Sequence, residues 1–293
     1  MDFDAQQLRA LAAIAAGGSL DAAARMLHVT PSAVSQRLRA LEGAAGRVLV
    51  VRSRPIRLTP SGEALLRLAR QIALLEEEAA RELAGGRDAS ERAILSVAVN
   101  ADSLATWFLT AVAPLAAAVE LRIHREDESR TGDLLRKGVT MAAVTTEREP
   151  LAGCRVTPLG AMRYRPMGSA AFAARWFAGT DADAAFERAP MVTFDDEDEL
   201  QHRFLRHRVV DVSPPFHRIP SSADFFRAIQ LGFGWGLVPE LQAATADGLV
   251  TLADEHFDVP LYWQQWALDT ASLTQLSEVV VAAGRAALVP WFD

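Results

Sequence analysis

The sequence contains one cysteine and one lysine among its 293 residues. The single cysteine, Cys154, cannot form a disulfide within the chain, which excludes a disulfide-stapled scaffold and a redox-sensing cysteine pair. No apolar run is long enough to span a bilayer, and no basic and then apolar leader opens the sequence. We therefore expect a cytoplasmic protein that makes no contact with a membrane.

The sequence also lacks the common signatures of catalysis and of metal binding. Its six histidines show neither H-x-x-x-H nor Cys/His ligand spacing, and it contains no G-x-S-x-G, Walker or dinucleotide motif. Gly232, Gly234 and Gly236 form G-x-G-x-G, which does not have nucleotide-loop spacing and suits a closely packed strand. Paired carboxylates could act as a general acid and base, but no nucleophile or cofactor motif accompanies them. We expect no enzyme activity, no cofactor and no bound metal.

Charge is distributed unevenly along a chain that is otherwise ordinary, with 50% hydrophobic and 23% charged residues. Residues 1–58 hold eight arginines and four acidic residues, a net charge of +4, whereas the other 235 residues hold 22 basic and 33 acidic groups. The chain is long enough for two or three compact units. A local basic module on an acidic chain indicates that residues 1–58 form a DNA-binding head.

Residues 29–42 predict a DNA-recognition helix. Thr30 can cap the helix, Pro31 suits its first position, and apolar residues recur at three-to-four spacing at Ala33, Val34, Leu38 and Leu41. Residues 19–27 predict a shorter helix upstream, with a tight turn between the two. This pattern is typical of a helix-turn-helix, although an ordinary amphipathic helix pair has the same periodicity.

A short basic hairpin, the shape of a wing, is predicted at residues 46–59. Polar side chains on the exposed face of the recognition helix can contact base edges and phosphates, while arginines of the hairpin can bind phosphates. The candidate DNA-binding residues are Thr30, Pro31, Ser32, Ser35, Gln36, Arg37, Arg39, Arg52, Arg54 and Arg57.

A long helix is predicted from Thr59 to about Leu83. Leu65, Leu68, Ile72, Leu75 and Ala79 form a heptad-like seam along it. The seam favours pairing with a second subunit, and the alternative is a single stalk that lies on its own domain. Gly85 and Gly86 then predict a hinge. The expected division is a winged helix-turn-helix domain at 1–58, a linker helix and hinge at 59–88, and a larger domain at 92–293.

Short apolar strands alternate with helices after residue 92, which predicts an α/β domain with a parallel, doubly wound sheet. The predicted strands are 94–99, 120–124, 141–144, 191–194, 235–238 and 261–268. The predicted helices are 103–119, 131–137, 182–188, 222–230 and 272–286. Ligands of such sheets lie beyond the carboxyl ends of the strands.

Polar side chains cluster where these strands end, and many are acidic. The candidate ligand-binding residues are Asn100, Asp102, Ser103, Asp127, Glu128, Thr145, Thr193, Asp195, Ser221 and Ser222. A zwitterion with a basic side chain fits this set, with its carboxylate on helix amides and hydroxyls and its cations on carboxylates. Two simpler interpretations stay open: Asp102 and Ser222 can be helix caps, and residues 195–199 can be a solvated acidic loop.

The head resembles that of the LysR-type transcriptional regulators. The resemblance rests on residues 23–27 (AARML), Ser32-Ala33-Val34-Ser35-Gln36, Leu41-Glu42, Gly46, Leu49-Val50, Arg52, Leu58-Thr59 and Gly62. Ala45 and Val50 depart from the family pattern, which usually has Leu and Phe there. The resemblance implies a linker helix that pairs two subunits. It also implies an effector domain of two subdomains like those of periplasmic binding proteins, at about 92–160 plus 267–293 and at about 161–266.

A narrower resemblance links the chain to the branch of this family that senses lysine or arginine and controls an exporter of basic amino acids. It rests on residues 99–107, 126–128, 220–225 and 261–263. The expected partners are double-stranded promoter DNA, lysine or arginine, and further copies of the chain: a dimer through the linker helix, with a tetramer and RNA polymerase contact left open. The alternatives are a LysR-type regulator with another small-metabolite effector and, more remotely, an enzyme or a solute-binding protein.

Overall fold

The N-terminal part consists of three helices and a small hairpin. A computed structural model describes residues 2–83, 92–126, 131–195, 198–208, 214–245 and 247–291, except the side chains of residues 81, 82 and 126. The head contains α1 (Ala5–Gly17), α2 (Leu20–Met26), α3 (Pro31–Ala45), β1 (Val50–Val51) and β2 (Arg57–Leu58). The two strands pair antiparallel. The predicted helix-turn-helix and wing are therefore confirmed as elements of the fold.

Local chemistry explains where α3 begins and ends. The Thr30 hydroxyl accepts a hydrogen bond from the Ala33 amide at 3.2 Å, and Pro31 occupies the first turn. Gly46 ends the helix in the left-handed conformation. The apolar stripe of α3 faces a core that includes Leu8, Leu11, Ile14, Ala23, Ala24, Val34, Leu38 and Leu41, all of them buried. Burial of this stripe leaves the opposite face of α3 exposed.

The linker helix α4 (Pro60–Leu83) is joined tightly to the head. The Thr59 hydroxyl donates to the Val48 carbonyl at 2.8 Å and accepts from the Gly62 amide at 3.1 Å. A Cβ on Gly62 would lie 2.0 Å from the Leu49 carbonyl oxygen, so only glycine lets the helix come this close. The Leu-Thr-x-x-Gly motif therefore fixes the direction in which the helix leaves the head.

The predicted seam of α4 is divided between two surroundings. Leu65, Leu68 and Ile72 pack against the head of the same chain, as the single-stalk alternative expects. Leu75 is 45% exposed, and Ala79 is exposed. Only the second half of the seam is thus open to another subunit. The predicted hinge at Gly85 and Gly86 lies outside the described residues.

The C-terminal domain contains nine further strands and several helices within its described residues. In chain order they are β3 (Ala93–Asn100), α5 (Ala101–Ser103), a π-helical turn (Leu104–Phe108), α6 (Leu109–Val112), a 3-10 turn (Ala113–Leu115), β4 (Val119–Glu126), α7 (Thr131–Arg136), β5 (Ala142–Thr145), β6 (Cys154–Ser169), α8 (Ala170–Trp176), α9 (Ala182–Phe186), β7 (Met191–Thr193), α10 (Leu200–His207), β8 (Phe216–Arg218), α11 (Ser222–Gln230), β9 (Gly236–Pro239), α12 (Glu240–Ala243), β10 (Leu249–Thr251), β11 (Phe257–Trp266) and α13 (Ala271–Ala287).

The sheet is mixed, and the prediction of a fully parallel sheet was wrong. The strand order is β10-β6-β11-β5-β3-β4, with β9 also paired to β6. Parallel pairing occurs between β3 and β4, β3 and β5, and β7 and β8. The strand β11 runs antiparallel to both β5 and β6. Sequence alternation did not reveal β6, β8, β10, α8, α10 or α12, whereas each predicted strand and helix has a counterpart.

Two long antiparallel strands, β6 and β11, connect two lobes. The first part of β6 pairs with β11 beside β5, and its last residues pair with β9 and β10. The register shifts between Leu261 and Tyr262, opposite Pro158 and Gly160. The first lobe thus contains β3, β4 and β5, and the second contains β7, β8 and β9. The subdomain boundaries at 160/161 and 266/267 stay a prediction.

The linker helix also contacts the first lobe. The Arg67 guanidinium donates to the Arg136 carbonyl at 3.0 Å, and Arg70 donates to the Gly138 carbonyl. Burial lowers the pKa of Arg70 from its ordinary value. A Cβ on Gly138, which has φ +66°, would lie 2.9 Å from the Arg67 Cα. The backbone of the turn after α7 therefore lies directly against α4.

No helix in the described part of the chain is long and apolar enough to cross a membrane.

Cys154 is half-buried, and desolvation raises the pKa of its thiol to about 11. The thiol is therefore protonated and weakly nucleophilic at neutral pH.

The close approach at Gly62 gives a test of the fold. We expect Gly62→Ala to destabilise the head by about 1–3 kcal/mol, because the new methyl group meets backbone that cannot move aside. The control is Gly43→Ala on α3, where a Cβ meets nothing within 4 Å and should stabilise by about 0.5–1 kcal/mol. Amide hydrogen exchange in the head measures both changes. Equal protection of the head amides from exchange in the two variants would contradict the close approach of Gly62 to the Leu49 carbonyl.

Candidate nucleic-acid interface and ligand cavity

The face of α3 that points away from the head core is polar and open to solvent. Thr30, Pro31, Ser32, Gln36 and Arg39 are exposed, whereas Ser35 and Arg37 are half-buried. A helix-turn-helix places such a face in the major groove, where side chains meet base edges. The structure therefore presents all seven helix candidates on or beside one accessible surface.

Two of the arginines on α3 are held by neighbouring side chains. Arg37 donates to the Gln6 side-chain oxygen at 2.7 Å, and Arg39 donates to the Ser35 hydroxyl at 3.0 Å. Both guanidiniums keep further N–H groups for a DNA partner, since each carries five. Gln36 makes no side-chain hydrogen bond within the described residues. Gln36 is thus open to read a base without breaking an existing contact.

The wing presents exposed guanidinium groups beside α3. Arg52, Arg54 and Arg57 are exposed, and none has an ion-pair partner among the residues that the structure describes. The Ile56 amide donates to the Gly18 carbonyl at 2.9 Å, which ties the hairpin to the corner between α1 and α2. The hairpin is therefore anchored while its arginines remain available to phosphates.

A cavity of about 300 Å³ lies where the ends of β3 and β4 in the first lobe meet the second lobe. Its lining residues are Asn100, Ala101, Asp102, Arg125, Tyr164, Phe194, Asp195, Asp198, Leu200, Gln201, Pro220, Ser222, Phe225, Leu237 and Pro239. The volume is at the lower end of the range of about 300–1,000 Å³ for small-molecule sites. The cavity suits a ligand of the size of a small metabolite.

Four of the ten predicted ligand-binding residues line this cavity, namely Asn100, Asp102, Asp195 and Ser222. Ser103 and Thr193 are buried next to lining residues in the chain, and each has a hydroxyl without a hydrogen-bond partner among the described residues. Asp127 and Glu128 lie outside the described residues.

Thr145 and Ser221 are not among the lining residues. The Thr145 hydroxyl accepts a hydrogen bond from the Glu147 amide at 3.1 Å, so it stabilises the turn after β5. Ser221 occupies the N-cap position of α11. The position of a residue at a strand end or helix start does not reveal which way its side chain faces.

Sequence reasoning did not select Arg125, Tyr164, Asp198 or Gln201, which also line the cavity. Arg125 carried a usable signal, because it stands at the end of a predicted strand. Tyr164 lies on β6 and Gln201 on α10, and neither element was predicted. Their contribution to the cavity depends on pairing between distant segments.

The carboxylates of the cavity are held by the chain itself. Asp102 accepts from the Tyr164 hydroxyl at 2.7 Å. Asp198 accepts from the Phe194 and Leu200 amides at 2.8 and 3.1 Å, and Asp195 accepts from the Asp198 amide at 3.0 Å. The donors of these hydrogen bonds are neutral groups. Three carboxylates against the single guanidinium of Arg125 give the described lining a net negative charge.

Comparison with known proteins extends these observations to the whole chain. Residues 5–63 match the bacterial regulatory helix-turn-helix proteins of the lysR family. The lysine export transcriptional regulatory protein LysG of Corynebacterium efficiens is 43% identical over 279 residues, which cover 92% of this chain and 94% of that protein.

Two solved structures share the architecture over nearly their full length. The crystal structure of ArgP from Mycobacterium tuberculosis is 46% identical, covers 99% of this chain and 100% of its own, and has a TM-score of 0.91. Full-length LysG of Corynebacterium glutamicum with its bound effector Arg is 37% identical, covers 98% of this chain and 100% of its own, and has a TM-score of 0.82. With its helix-turn-helix head, linker helix and two-lobed domain, the chain belongs to the LysR family of bacterial transcriptional regulators.

Proposed function

We propose that this regulator binds lysine or arginine in the cavity between its lobes and thereby controls transcription of a gene for an exporter of basic amino acids. The observation that carries the proposal is the net negative cavity in a chain whose other end is a basic helix-turn-helix. The Corynebacterium relatives support it, since one is named for lysine export and another holds Arg as its effector.

The head supplies two kinds of DNA contact in this proposal. Ser32, Ser35, Gln36 and Arg37 read base edges in the major groove, while Thr30, Pro31 and Arg39 position the helix. Arg52, Arg54 and Arg57 bind phosphates, which adds affinity for any DNA sequence. Because the rest of the chain is acidic, promoter binding depends on this small basic surface.

The cavity matches a zwitterion with a cationic side chain. Asp102, Asp195 and Asp198 offer acceptors for the ammonium and guanidinium groups, and Asn100 and Ser222 offer neutral hydrogen bonds. Ser103 and Thr193 lie close behind. A charged donor on a fixed carboxylate forms stronger hydrogen bonds than a neutral pair does. The preference for a basic amino acid therefore follows from the sign of the charge in the lining.

The chain acts as a dimer in this proposal, with two linker helices pairing through the exposed half of the seam around Leu75 and Ala79. Two heads then read two half-sites, which compensates for the small contact area of each. Assembly into tetramers and contact with RNA polymerase are natural extensions of this arrangement. We place the protein in the cytoplasm, where promoter DNA is, and assign no catalytic reaction to it.

Ligand and DNA binding are coupled through the linker helix. A ligand that bridges the lobes favours one placement of the second lobe relative to the first. Arg67 and Arg70 hold the first lobe against α4, and α4 is continuous with the head. The change in DNA binding cannot exceed the difference in ligand affinity between the two placements.

The roles of the head residues can be separated by mutation. Arg54→Ala should weaken binding to every DNA sequence and reduce the salt slope by about one unit for each head, because one phosphate contact is lost. Gln36→Ala should reduce the preference for the operator over unrelated DNA and leave the slope unchanged. Arg188→Ala, on the C-terminal domain, is the charge-matched control. Fluorescence anisotropy at several salt concentrations measures these effects, and an equal loss of specificity in both head variants would refute the division.

The ligand class can be tested by calorimetric titration of the full-length protein. We expect saturable binding of lysine and arginine but not of norleucine and citrulline, which have similar shapes without the side-chain charge. Asp195→Asn should weaken arginine about tenfold, because one charged hydrogen bond is removed. Asp247→Asn, an exposed carboxylate outside the lining, should have no effect. Binding of the neutral analogues with equal affinity would rule out recognition by charge.

The same titration followed by anisotropy on promoter DNA tests the regulatory link. At a concentration near the wild-type Kd, arginine should change the operator affinity of the wild-type protein and have a much smaller effect on that of Asp195→Asn. If a ligand binds but changes neither DNA affinity nor transcription in a reconstituted assay, the cavity does not control regulation.

A further inference from the structure

Arg125 stands apart from the other charged residues of the cavity. The three carboxylates of the lining each accept hydrogen bonds from the chain, whereas Arg125 makes no hydrogen bond or ion pair with any described residue. It is also the single cationic side chain in the described lining. A guanidinium without a partner among the described residues, placed at the lining of a cavity, marks the position where an anionic group of a ligand can bind.

The strand geometry explains why Arg125 reaches the cavity. Side chains alternate between the two faces of β4, so Arg125 shares a face with Leu121 and Ile123. Those two residues pack against the main core. Arg125 continues their row just beyond the core, at the carboxyl end of the strand, where it pairs with Val99 of β3. Ligands of such sheets occupy this edge.

The neighbouring arginine on the same strand provides a contrast. Arg122 lies on the opposite face of β4, where its guanidinium pairs with Glu120 at 2.8 Å. Both arginines are exposed, but only Arg125 lines the cavity. The difference between them is therefore one of placement and not of general surface charge.

We propose that Arg125 binds the α-carboxylate of the effector and makes that carboxylate a requirement for binding. The inference rests on the proposed function, since it assumes that a basic amino acid occupies the cavity. The planar guanidinium can form two parallel hydrogen bonds to a carboxylate, while the side-chain cation lies against the aspartates. Arg125 thus sets the orientation of the ligand as well as its class.

Replacement of the carboxylate separates this idea from simple charge attraction. Argininamide has the shape of arginine, but a carboxamide replaces the carboxylate, so its net charge is higher by one. Attraction to a negative cavity alone would make argininamide bind more tightly than arginine. Recognition by Arg125 predicts the opposite order, with arginine favoured about 10- to 100-fold.

The experiment is a cycle of two proteins and two ligands, measured by calorimetry on the full-length chain. Wild type and Arg125→Met are each titrated with arginine and argininamide, and lysine and lysinamide repeat the comparison. We expect the wild-type preference for the carboxylate to fall to within about threefold in Arg125→Met, because the group that recognises the carboxylate is gone. Arg122→Met should retain the full preference. Arg125→Lys keeps the positive charge but cannot form two parallel hydrogen bonds, so it should retain part of the preference.

The other outcomes are distinct. If wild type binds arginine and Arg125→Met keeps the wild-type ratio of arginine to argininamide affinities, the inference is overturned while the basic ligand stands. Equal binding of both ligands by wild type overturns it in the same way. If wild type binds none of the four compounds, the proposed ligand class fails and the inference fails with it. A thermal unfolding midpoint of Arg125→Met close to that of wild type, measured by scanning calorimetry on the same full-length samples, shows that the variant is folded.

Discussion

The linker helix is the constraint on which the rest of the molecule depends. Its first turn is held against the wing by Thr59 and by the backbone contact at Gly62. Its first apolar residues complete the core of the head. Farther along, Arg67 and Arg70 reach the carbonyls at the end of α7. One rigid element therefore sets the position of the DNA-reading face relative to the lobe that forms half of the cavity.

Charge is distributed unevenly between the two sites that the linker helix connects, the basic head and the acidic cavity. The wing of the head carries arginines that have no acidic partner in the described part of the chain, so phosphates can bind them without displacing one. The cavity instead concentrates aspartates, and the chain binds these through backbone amides and the Tyr164 hydroxyl. These donors are neutral and hold the carboxylates in place, so under the proposed function a cationic ligand meets an arrangement that is already formed. Little ordering free energy is then lost when the ligand binds.

How much of this arrangement the sequence predicts depends on how local each feature is. The recognition helix follows from Thr30, Pro31 and a four-residue apolar stripe, all within one segment. Asn100 and Asp102 are predictable as cavity residues because β3 is strongly apolar and is followed directly by polar residues. The strand β6 escaped prediction because proline and glycine interrupt it and its burial pattern changes between lobes. Tyr164 and Asp102 are 62 positions apart, and their contact depends on a crossing strand that no local pattern reveals. The strand-end position predicts a ligand contact for Thr145 as it does for Asn100, yet the Thr145 hydroxyl accepts a hydrogen bond within its own turn.

The contacts between α4 and the first lobe also bound the strength of the regulatory signal. Within the described residues they include donors from Arg67 and Arg70 and the Glu78 carboxylate, which accepts from the Ala271 amide. Hydrogen bonds of this kind contribute roughly 0.5–1.5 kcal/mol each. Allosteric coupling typically amounts to about 1–3 kcal/mol. The two ranges are similar, so a coupling of ordinary size would be enough to make or break one of these hydrogen bonds. Leu74 of α4 is also buried in the main core of the C-terminal domain, so the junction combines polar and apolar contacts. Under the proposed function, a ligand can bias this junction only by its difference in affinity between the two placements of the lobes.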